Sequence, residues 1–290
     1  MFSIINSYEN IDKWYSISVL FSNTKMALME LNMSKNRYIC HRILLTNDDG
    51  FDARGLEILS EIARGLAPEV WIVAPSEERS GASQSINLHR SLTCLKRGEY
   101  QYTVTGSPAD CVALACMELM RCNLPDLILS GINRGGNLGN ETVFSGTVGA
   151  AMTGLLLGIP SIALSQNIDK DSRVTWETSR IAAPDIIRHF YTVGWPADAC
   201  LNINFPPINL QEAGEYTVTS QGAGRLQRFD IKKENKNQSD DFTFTIDLGH
   251  VDCCNDLFDE TGGILAGHIT VTPLRYNRTH DTAMEFLKKL

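Results

Sequence analysis

The sequence lacks the paired cysteines that mark most zinc sites, although its 290 residues include eight cysteines. No two of them form a C-x-x-C pair, and the six histidines do not cluster near them. We therefore expect no zinc site. Scattered thiols in a chain of this length also argue against a disulfide framework, and they favour the reducing cytoplasm as the compartment.

Long apolar runs are missing as well. The most apolar stretch, residues 148–164, is shorter than the roughly 20 residues needed to cross a bilayer, and glycine and proline interrupt it. Residues 1–37 have neither the basic start nor the continuous apolar core of a signal peptide. We predict no membrane association, and we expect residues 1–40 to form a poorly ordered N-terminal extension.

Basic residues are in the minority, because 26 Lys and Arg stand against 34 Asp and Glu and give a net charge of -8. An acidic chain is a poor general binder of polyanions, so we expect no nucleic-acid duplex as a partner, although a small phosphorylated ligand can still be held locally. The chain has no Walker A loop, no G-x-G-x-x-G fingerprint and no G-x-S-x-G elbow. The missing fingerprint argues against a dinucleotide oxidoreductase.

Short apolar runs alternate with helical patterns over most of the chain. We predict strands at residues 43–45, 70–74, 100–105, 127–129, 162–164 and 201–205. Helical spacing indicates a helix over 56–66, Ser107 is placed to cap a helix that begins at Pro108, and a third helix is predicted over 147–157. This alternation indicates an α/β protein with a parallel sheet that is covered on both faces. We assign the core to residues 41–224.

The pattern changes after the predicted core. Residues 225–241 are polar and of mixed charge, and residues 242–247 alternate like one arm of a β-hairpin. A further strand is predicted at 268–273 and a terminal helix at 279–290. We interpret residues 225–290 as a hairpin and helix region that serves oligomerisation.

Loops rich in oxygen ligands and glycine follow four of the predicted strands. Asp48 and Asp49 follow the first strand, residues 76–83 the second, Ser107 the third and Asn133 the strand at 127–129. Because the carboxyl ends of parallel strands meet at one edge of a sheet, we expect these loops to converge there. That edge is where open α/β sheets bind ligands.

Asp48 and Asp49 give the sharpest local signal. Two carboxylates bent toward one point in a turn repel each other unless a cation lies between them. With a serine hydroxyl and an asparagine oxygen they form an all-oxygen ligand set, which suits Mg²⁺, Mn²⁺ or Ca²⁺. The alternative is a purely structural Asn-Asp-Asp-Gly turn held by its own side-chain hydrogen bonds. Asn-Asp-Asp also differs from the D-x-D nucleophile motif of haloacid-dehalogenase-type phosphatases.

A glycine-rich loop over residues 133–140 leads through Ser145, Gly146 and Thr147 into a predicted helix. Small residues before a helix expose backbone N–H groups, and the helix dipole favours an anion there. The segment therefore predicts an anion site. The alternative is a helix that Ser145 merely caps.

Five sequence blocks now carry a family resemblance: ILLTNDDGFDARG, APSEERSGASQS, GSPADCV, SGINRGGNLGNETVFSGTVGAAMTG and ITVTPL, in this order. They closely resemble the SurE family, the stationary-phase survival proteins with 5'/3'-nucleotidase activity. The resemblance implies a Rossmann-like three-layer sandwich and one divalent cation per subunit, Mg²⁺ or Mn²⁺. It also implies hydrolysis of nucleoside monophosphates by homodimers or homotetramers that exchange a C-terminal hairpin and helix.

The resemblance also implies roles for individual residues. The metal ligands carried over by motif are Asp48, Asp49, Ser80 and Asn133. Phosphate contacts fall on Ser107, Asn133, Ser145, Gly146 and Thr147, where Ser107 replaces the family's usual threonine. The catalytic set is Asp48, Asp49 and Asn133, acting on water that the cation activates. The competing hypothesis is a non-catalytic nucleotide or metal sensor that uses the same loops.

Overall fold

Apolar runs that are buried on both faces form the central strands of this computed structural model. The structure describes residues 38–290 except 172, 210, 214, 236–241 and 251–257, so residues 1–37 of the predicted extension lie outside the described residues. The strands are β1 (Arg42–Thr46), β2 (Glu69–Pro75), β3 (Cys94–Gly98), β4 (Gln101–Val104), β5 (Leu127–Arg134), β6 (Ser161–Gln166), β7 (Cys200–Phe205), β8 (Tyr216–Val218), β9 (Leu226–Asn235), β10 (Phe242–His250) and β11 (Ile269–Leu274). The helices are α1 (Arg54–Leu66), α2 (Pro108–Leu114), α3 (Gly146–Leu156), α4 (Glu177–Val193), α5 (Glu260–Leu265) and α6 (Asp281–Leu287).

The central sheet has nine strands in the order β3-β4-β2-β1-β5-β6-β7-β11-β8. The run from β4 to β7 is parallel, whereas β3 pairs antiparallel with β4 and β11 pairs antiparallel with β7. From β1 the chain proceeds to β2 on one side and later to β5 on the other. The strand order therefore reverses between β1 and β5, and ligands bind at such a switch point beside the carboxyl ends of the strands.

Helices cover the sheet in two pairs. α1 packs against α4, and α2 packs against α3. Leu44, Val73 and Ile128 of the strands form one apolar cluster with Cys111 of α2 and Ala150 of α3. The predicted Rossmann-like three-layer α/β fold is confirmed. Among the helices in the described part of the chain, none is both long and apolar enough to cross a membrane.

The predicted start of α2 is confirmed in detail. The Ser107 hydroxyl accepts a hydrogen bond from the Asp110 N–H, and the Asp110 carboxylate accepts one from the Ser107 N–H. Several other elements differ from the prediction, and β3, β8 and α5 were not predicted. Strand β5 continues through Arg134 rather than ending at residue 129, and α4 was not predicted because Pro184 lies inside it and interrupts the helical pattern.

The C-terminal region divides between two places. Strands β9 and β10 pair with each other in a separate antiparallel hairpin, as the alternation of residues 242–247 predicts. Strand β11, in contrast, lies within the central sheet between β7 and β8. The sheet therefore does not end near residue 224, where we placed the core boundary. The polar stretch before the hairpin conceals this continuity, because β11 reaches β7 only through long-range pairing.

Candidate active site

The Asn47–Gly50 turn leaves the carboxyl end of β1 at the switch point. The Asn47 side-chain N–H donates to the Gly50 carbonyl over 2.8 Å, and Gly50 has a positive φ of 98°, which glycine adopts without strain. The turn held by its own side-chain hydrogen bond, which the structural alternative predicts, is thus present. It is made by Asn47 and does not use the side chains of Asp48 and Asp49, which remain available for other contacts.

Asp48 lies buried against the N-terminus of α3. One carboxylate oxygen, Oδ2, accepts from the Gly146 N–H at 3.1 Å and the Thr147 N–H at 3.2 Å, and the other, Oδ1, accepts from the Thr147 hydroxyl at 2.5 Å. The helix dipole and these donors favour the charged form, while burial has the larger effect and raises the pKa of Asp48 above its usual range. The N–H groups of Gly146 and Thr147, for which we predict phosphate contacts, donate to Asp48 here, and the phosphate contacts stay a prediction.

Glycine is required at the first position of α3 because Asp48 packs directly on it. A methyl group on Gly146 would lie 2.8 Å from the Asp48 Cβ and 2.9 Å from its Oδ2. Ser145 caps the same helix, and its hydroxyl oxygen accepts from the Val148 N–H over 3.0 Å. That bond uses the oxygen as an acceptor, so the hydroxyl proton of Ser145 remains a possible donor to a ligand.

Asp49 joins the turn after β1 to the end of β5. Its Oδ2 accepts from the Arg134 N–H at 3.2 Å, which places the carboxylate beside the residue that follows Asn133. The Asn133 side-chain N–H donates to the Gly135 carbonyl over 2.9 Å, a bond that does not use its amide oxygen. Burial, and secondarily the neighbouring Asp48 carboxylate, raises the pKa of Asp49 to about 6.

The loop after β2 packs against the same turn. The Arg79 N–H donates to the Asp48 carbonyl over 2.7 Å, and Ser80 follows directly in the chain. Ser80 is exposed, and its hydroxyl donates to Glu78 over 2.8 Å, which leaves the Ser80 oxygen free to act as an acceptor. The structure thus places Asp49 beside the end of β5 that carries Asn133, and the loop that carries Ser80 against the turn of Asp48.

Ser107 makes hydrogen bonds within the chain at the start of α2. Its hydroxyl accepts from the Asp110 N–H at 3.1 Å and donates to the Ser85 carbonyl at 2.5 Å, and the residue is buried. The hydroxyl is therefore occupied by the capping box of α2 and by the loop that carries Ser80. The predicted phosphate contact of Ser107 stays a prediction.

The donor set fits a divalent cation. Burial raises the pKa values of the neighbouring carboxyl groups of Asp48 and Asp49, and a cation bound between them would favour their charged forms. The Asn47 side-chain oxygen at the same turn is buried and has no hydrogen-bond partner. Carboxylate, amide and hydroxyl oxygens are the ligands of Mg²⁺ and Mn²⁺.

Glu78 is a neighbour of the site that the sequence does not reveal. Adjacent acidic and basic residues such as those at 77–79 usually form a solvated face of a loop. In the structure the Glu78 carboxylate accepts a hydrogen bond from the Ser80 hydroxyl. The negative charge of Glu78 also contributes to the raised pKa of Asp49. The proximity of Glu78 to Asp49 depends on how the loop folds back toward β1, and the local sequence does not indicate that fold.

Comparisons with known proteins agree with this geometry. Residues 43–228 match the family model described as survival protein SurE. The chain is 47% identical to a protein named 5'-nucleotidase SurE 1 from Burkholderia lata, in an alignment covering 88% of this chain and 98% of the relative. It is 40% identical to 5'-nucleotidase SurE from Caulobacter vibrioides, with 85% and 95% covered. The crystal structure of the Sure protein from Aquifex aeolicus superposes with a TM-score of 0.73 at 33% identity, covering 86% of this chain and 98% of that one. The chain therefore belongs to the SurE family.

Proposed function

We propose that this protein is a metal-dependent 5'-nucleotidase, a phosphomonoester hydrolase that converts nucleoside 5'-monophosphates to nucleoside and phosphate. We extend the proposal to 3'-monophosphates. The observation that carries the proposal is the Asp48–Asp49 pair at the β1/β5 switch point, bound at the N-terminus of α3. The names of the relatives from Burkholderia lata and Caulobacter vibrioides support it.

The mechanism assigns the cation to four residues. Asp48, Asp49, Asn133 and Ser80 would hold one divalent ion per subunit, which supplies a polarised phosphate oxygen and a bound water of lowered pKa. Three hydrogen-bond donors hold the Asp48 carboxylate in place, so it would present a fixed ligand to the cation. The Asp49 carboxylate would accept the proton of the attacking water, and the Asn133 amide would orient the phosphate for in-line attack. The P–O bond to the nucleoside breaks as the new P–O bond forms, and the departing nucleoside oxygen takes a proton from solvent water.

Substrate binding is assigned to the side of α3 that Ser145 occupies. A groove of about 820 Å³ runs beside this helix, and its lining includes Ser145, Gln84, Asn140 and Arg275. This volume is in the range of small-molecule sites and accommodates a nucleoside. The Ser145 hydroxyl donates to the phosphate, whereas Gly146 and Thr147 act indirectly by holding Asp48.

Chelation is expected to abolish phosphate release from adenosine 5'-monophosphate, because the negative charge of Asp48 and Asp49 without a cation repels the substrate phosphate. Activity is expected to return when Mn²⁺ or Mg²⁺ is added back. The assay is phosphate release by the purified protein before EDTA treatment, after it and after reloading. Turnover that survives exhaustive chelation would contradict the metal mechanism.

The same assay separates the enzyme from the sensor hypothesis. A non-catalytic sensor would bind the nucleotide in the presence of Mn²⁺, as calorimetry detects, but would release no phosphate. We expect both binding and release. The sensor alternative also keeps the same loops, so binding data alone do not decide between the two functions.

We further propose that the protein forms a homodimer or homotetramer through the β9–β10 hairpin. On one face of the hairpin, Ile231 pairs with Ile246 and Phe229 with Leu248. Ile231 is 63% exposed and Ile246 is 64% exposed. A two-stranded sheet is marginal in water, and an exposed apolar face of this kind marks an interaction surface. A second copy of the chain is the proposed occupant.

Light scattering at micromolar concentration is expected to give a mass of at least two chains. The double substitution Ile231→Ser with Ile246→Ser is expected to lower that mass, because it removes the apolar pair from the exposed face. Lys232→Ser is the matched control. Lys232 lies on the same strand but on the opposite face, where its ammonium group forms an ion pair with the Asp247 carboxylate. A wild-type protein that is monomeric at this concentration would contradict the proposed assembly.

We propose the cytoplasm as the compartment, with no membrane and no nucleic-acid duplex as partner. Six cysteines in the described part of the chain are free thiols: Cys40, Cys94, Cys111, Cys116, Cys122 and Cys200. Free thiols persist in a reducing compartment, which supports the proposal. The net charge of -8 supports a small phosphorylated substrate rather than a polyanion.

A further inference from the structure

Glu260 is a fully buried carboxyl group that none of the steps above uses. It is the first residue of α5, in the C-terminal region of the chain, and it is 0% exposed. Its own N–H donates to the Ser220 carbonyl over 2.9 Å. Carboxylates are almost never fully buried without partners, because losing hydration is costly. The partners of Glu260 therefore indicate why the chain keeps a carboxyl group here.

Both carboxyl oxygens of Glu260 are linked by hydrogen bonds to the glycine-rich loop that begins at Asn133, one directly and one through Asn202. Oε1 accepts from the Gly139 N–H, and Oε2 accepts from the Asn202 side-chain N–H at 3.1 Å. The same Asn202 amide donates to the Asn137 carbonyl at 2.8 Å. Glu260 thus holds this loop directly at Gly139 and, through Asn202, at Asn137.

The held loop lies between two parts of the candidate active site. Upstream, the Asn133 side chain contacts Gly135, whose N–H donates to the Gln166 carbonyl. Downstream, Gly139 begins the short 3-10 helix Gly139–Val143, which leads to Ser145 and the N-terminus of α3. A displacement at Gly139 would therefore reach Asn133 in one direction and the donors that hold Asp48 in the other.

We propose that Glu260 is a positioning residue for the hydrolytic site, which it serves by fixing the loop between Asn133 and Ser145 to the C-terminal segment of the chain. The inference rests on the proposed function, because one of its tests measures kcat. A second test measures the affinity for Mn²⁺ and does not require activity. The two oxygens of the Glu260 carboxyl group accept from the Gly139 and Asn202 donors simultaneously, whereas a side-chain amide offers a single acceptor oxygen.

Glu260→Gln tests the proposal. Glutamine keeps one acceptor oxygen but places an N–H₂ group where Oε2 accepts from Asn202, so two donors face each other. We expect kcat to fall on the order of tenfold and the Kd of Mn²⁺, measured by calorimetry, to rise by a similar factor, because supporting contacts around metal sites have effects of about this size. KM is expected to change much less.

Asp259→Ala is the matched control for loss of stability. Asp259 caps the same helix by accepting from the Gly262 N–H at 2.8 Å, and this contact does not involve the loop. The control is expected to lower the melting temperature while kcat and Mn²⁺ affinity stay near wild type. If both variants lose activity only in proportion to their loss of stability, the positioning role is wrong. Wild-type kcat and Mn²⁺ affinity in Glu260→Gln would also overturn it.

A pH series adds a readout that depends on the carboxyl group itself. Burial raises the pKa of Glu260 to about 8, against the effect of donors from Gly139, Thr272 and Asn202, while Asp259 adds a like charge on its own helix. The folded state therefore retains a proton that the unfolded chain releases, so stability falls as pH rises from about 4.5 to about 8. Glu260→Gln is expected to flatten that part of the unfolding profile.

Two further arms keep the test decisive. If Glu260→Gln does not fold, Glu260→Asp takes its place, because it keeps the carboxyl group but is one methylene too short to reach both donors. Wild-type kcat and Mn²⁺ affinity in that variant would overturn the proposal. If the wild-type protein releases no phosphate from any nucleoside monophosphate, the proposed function fails, but the Mn²⁺ affinities of the variant and the wild type still compare the positioning of Asn133.

Discussion

Asp49→Asn is expected to lower nucleotide turnover on the order of 100-fold or more and to weaken Mn²⁺ binding. The substitution keeps the shape of the side chain, and the amide oxygen can still accept from the Arg134 N–H, so the turn after β1 is expected to keep its fold. What it removes is one of the two negative charges that we propose to bind the cation. Loss of one preorganised stabiliser of transition-state charge has effects of this size.

Asp52→Asn is the matched control for Asp49→Asn. Asp52 lies three residues further along the chain and is exposed, so the same change of charge occurs near the site but outside it. Phosphate release and calorimetric Mn²⁺ titration are measured on both variants. Near-normal turnover and Mn²⁺ affinity in Asp49→Asn would show that the Asn-Asp-Asp-Gly turn is purely structural.

Gly146→Ala is the second substitution with a large expected effect. The added methyl group would lie 2.8 Å from the Asp48 Cβ, so either Asp48 or the first turn of α3 must move. Because Asp48 contributes one of the two carboxylates, a displacement of about 1 Å is expected to lower turnover on the order of 100-fold. The melting temperature is also expected to fall, since the Gly146 and Thr147 donors lose their acceptor.

Gly65→Ala is the matched control for Gly146→Ala. Gly65 lies in helix α1, and a methyl group there meets nothing within 4 Å. This control is expected to keep full turnover and to gain about 0.5–1 kcal/mol of stability from the higher helix propensity of alanine. If Gly146→Ala does not fold, Thr147→Val removes the hydroxyl bond to Asp48 at nearly constant volume. Unchanged turnover in the folded variant would show that the position of Asp48 is not critical.

Strands that are buried on both faces could be predicted from the sequence. The run at 43–45 belongs to β1 and the run at 162–164 to β6, because strands inside a parallel sheet need apolar side chains on both sides. The start of α2 was equally readable, since Ser107, Pro108 and Asp110 each act locally. Convergence of the loops followed from topology alone, as every parallel strand ends at one edge.

The partner of the α3 N-terminus could not be predicted in the same way. The sequence indicates that Gly146 and Thr147 expose N–H groups to an anion, and it does not say which anion. In the structure a carboxylate of the chain itself, Asp48, fills that position from 98 residues away. Local sequence cannot distinguish an intramolecular carboxylate from a bound phosphate, because both satisfy the same donors and the same dipole.

The place of β11 was hidden for a related reason. Residues 268–273 read as a strand, but the polar and hairpin segments before them suggested a separate region. Pairing with β7 buries Ile269 and Val271, and this pairing is set by long-range packing rather than by neighbours in the sequence. Glu260 lies just before β11 and consequently contacts the loop between Asn133 and Ser145. No sequence motif predicts this contact.

A titration of metal-free protein with Mn²⁺ tests the central claim most directly. Binding heat and the rate of phosphate release from adenosine 5'-monophosphate are followed on the same samples, for the wild type and for Asp49→Asn. We expect the two signals to rise together and to level off at one ion per chain in the wild type, and both to be largely lost in the variant. Full phosphate release before any Mn²⁺ is added, or binding and activity that survive in Asp49→Asn, would contradict the assignment of the site.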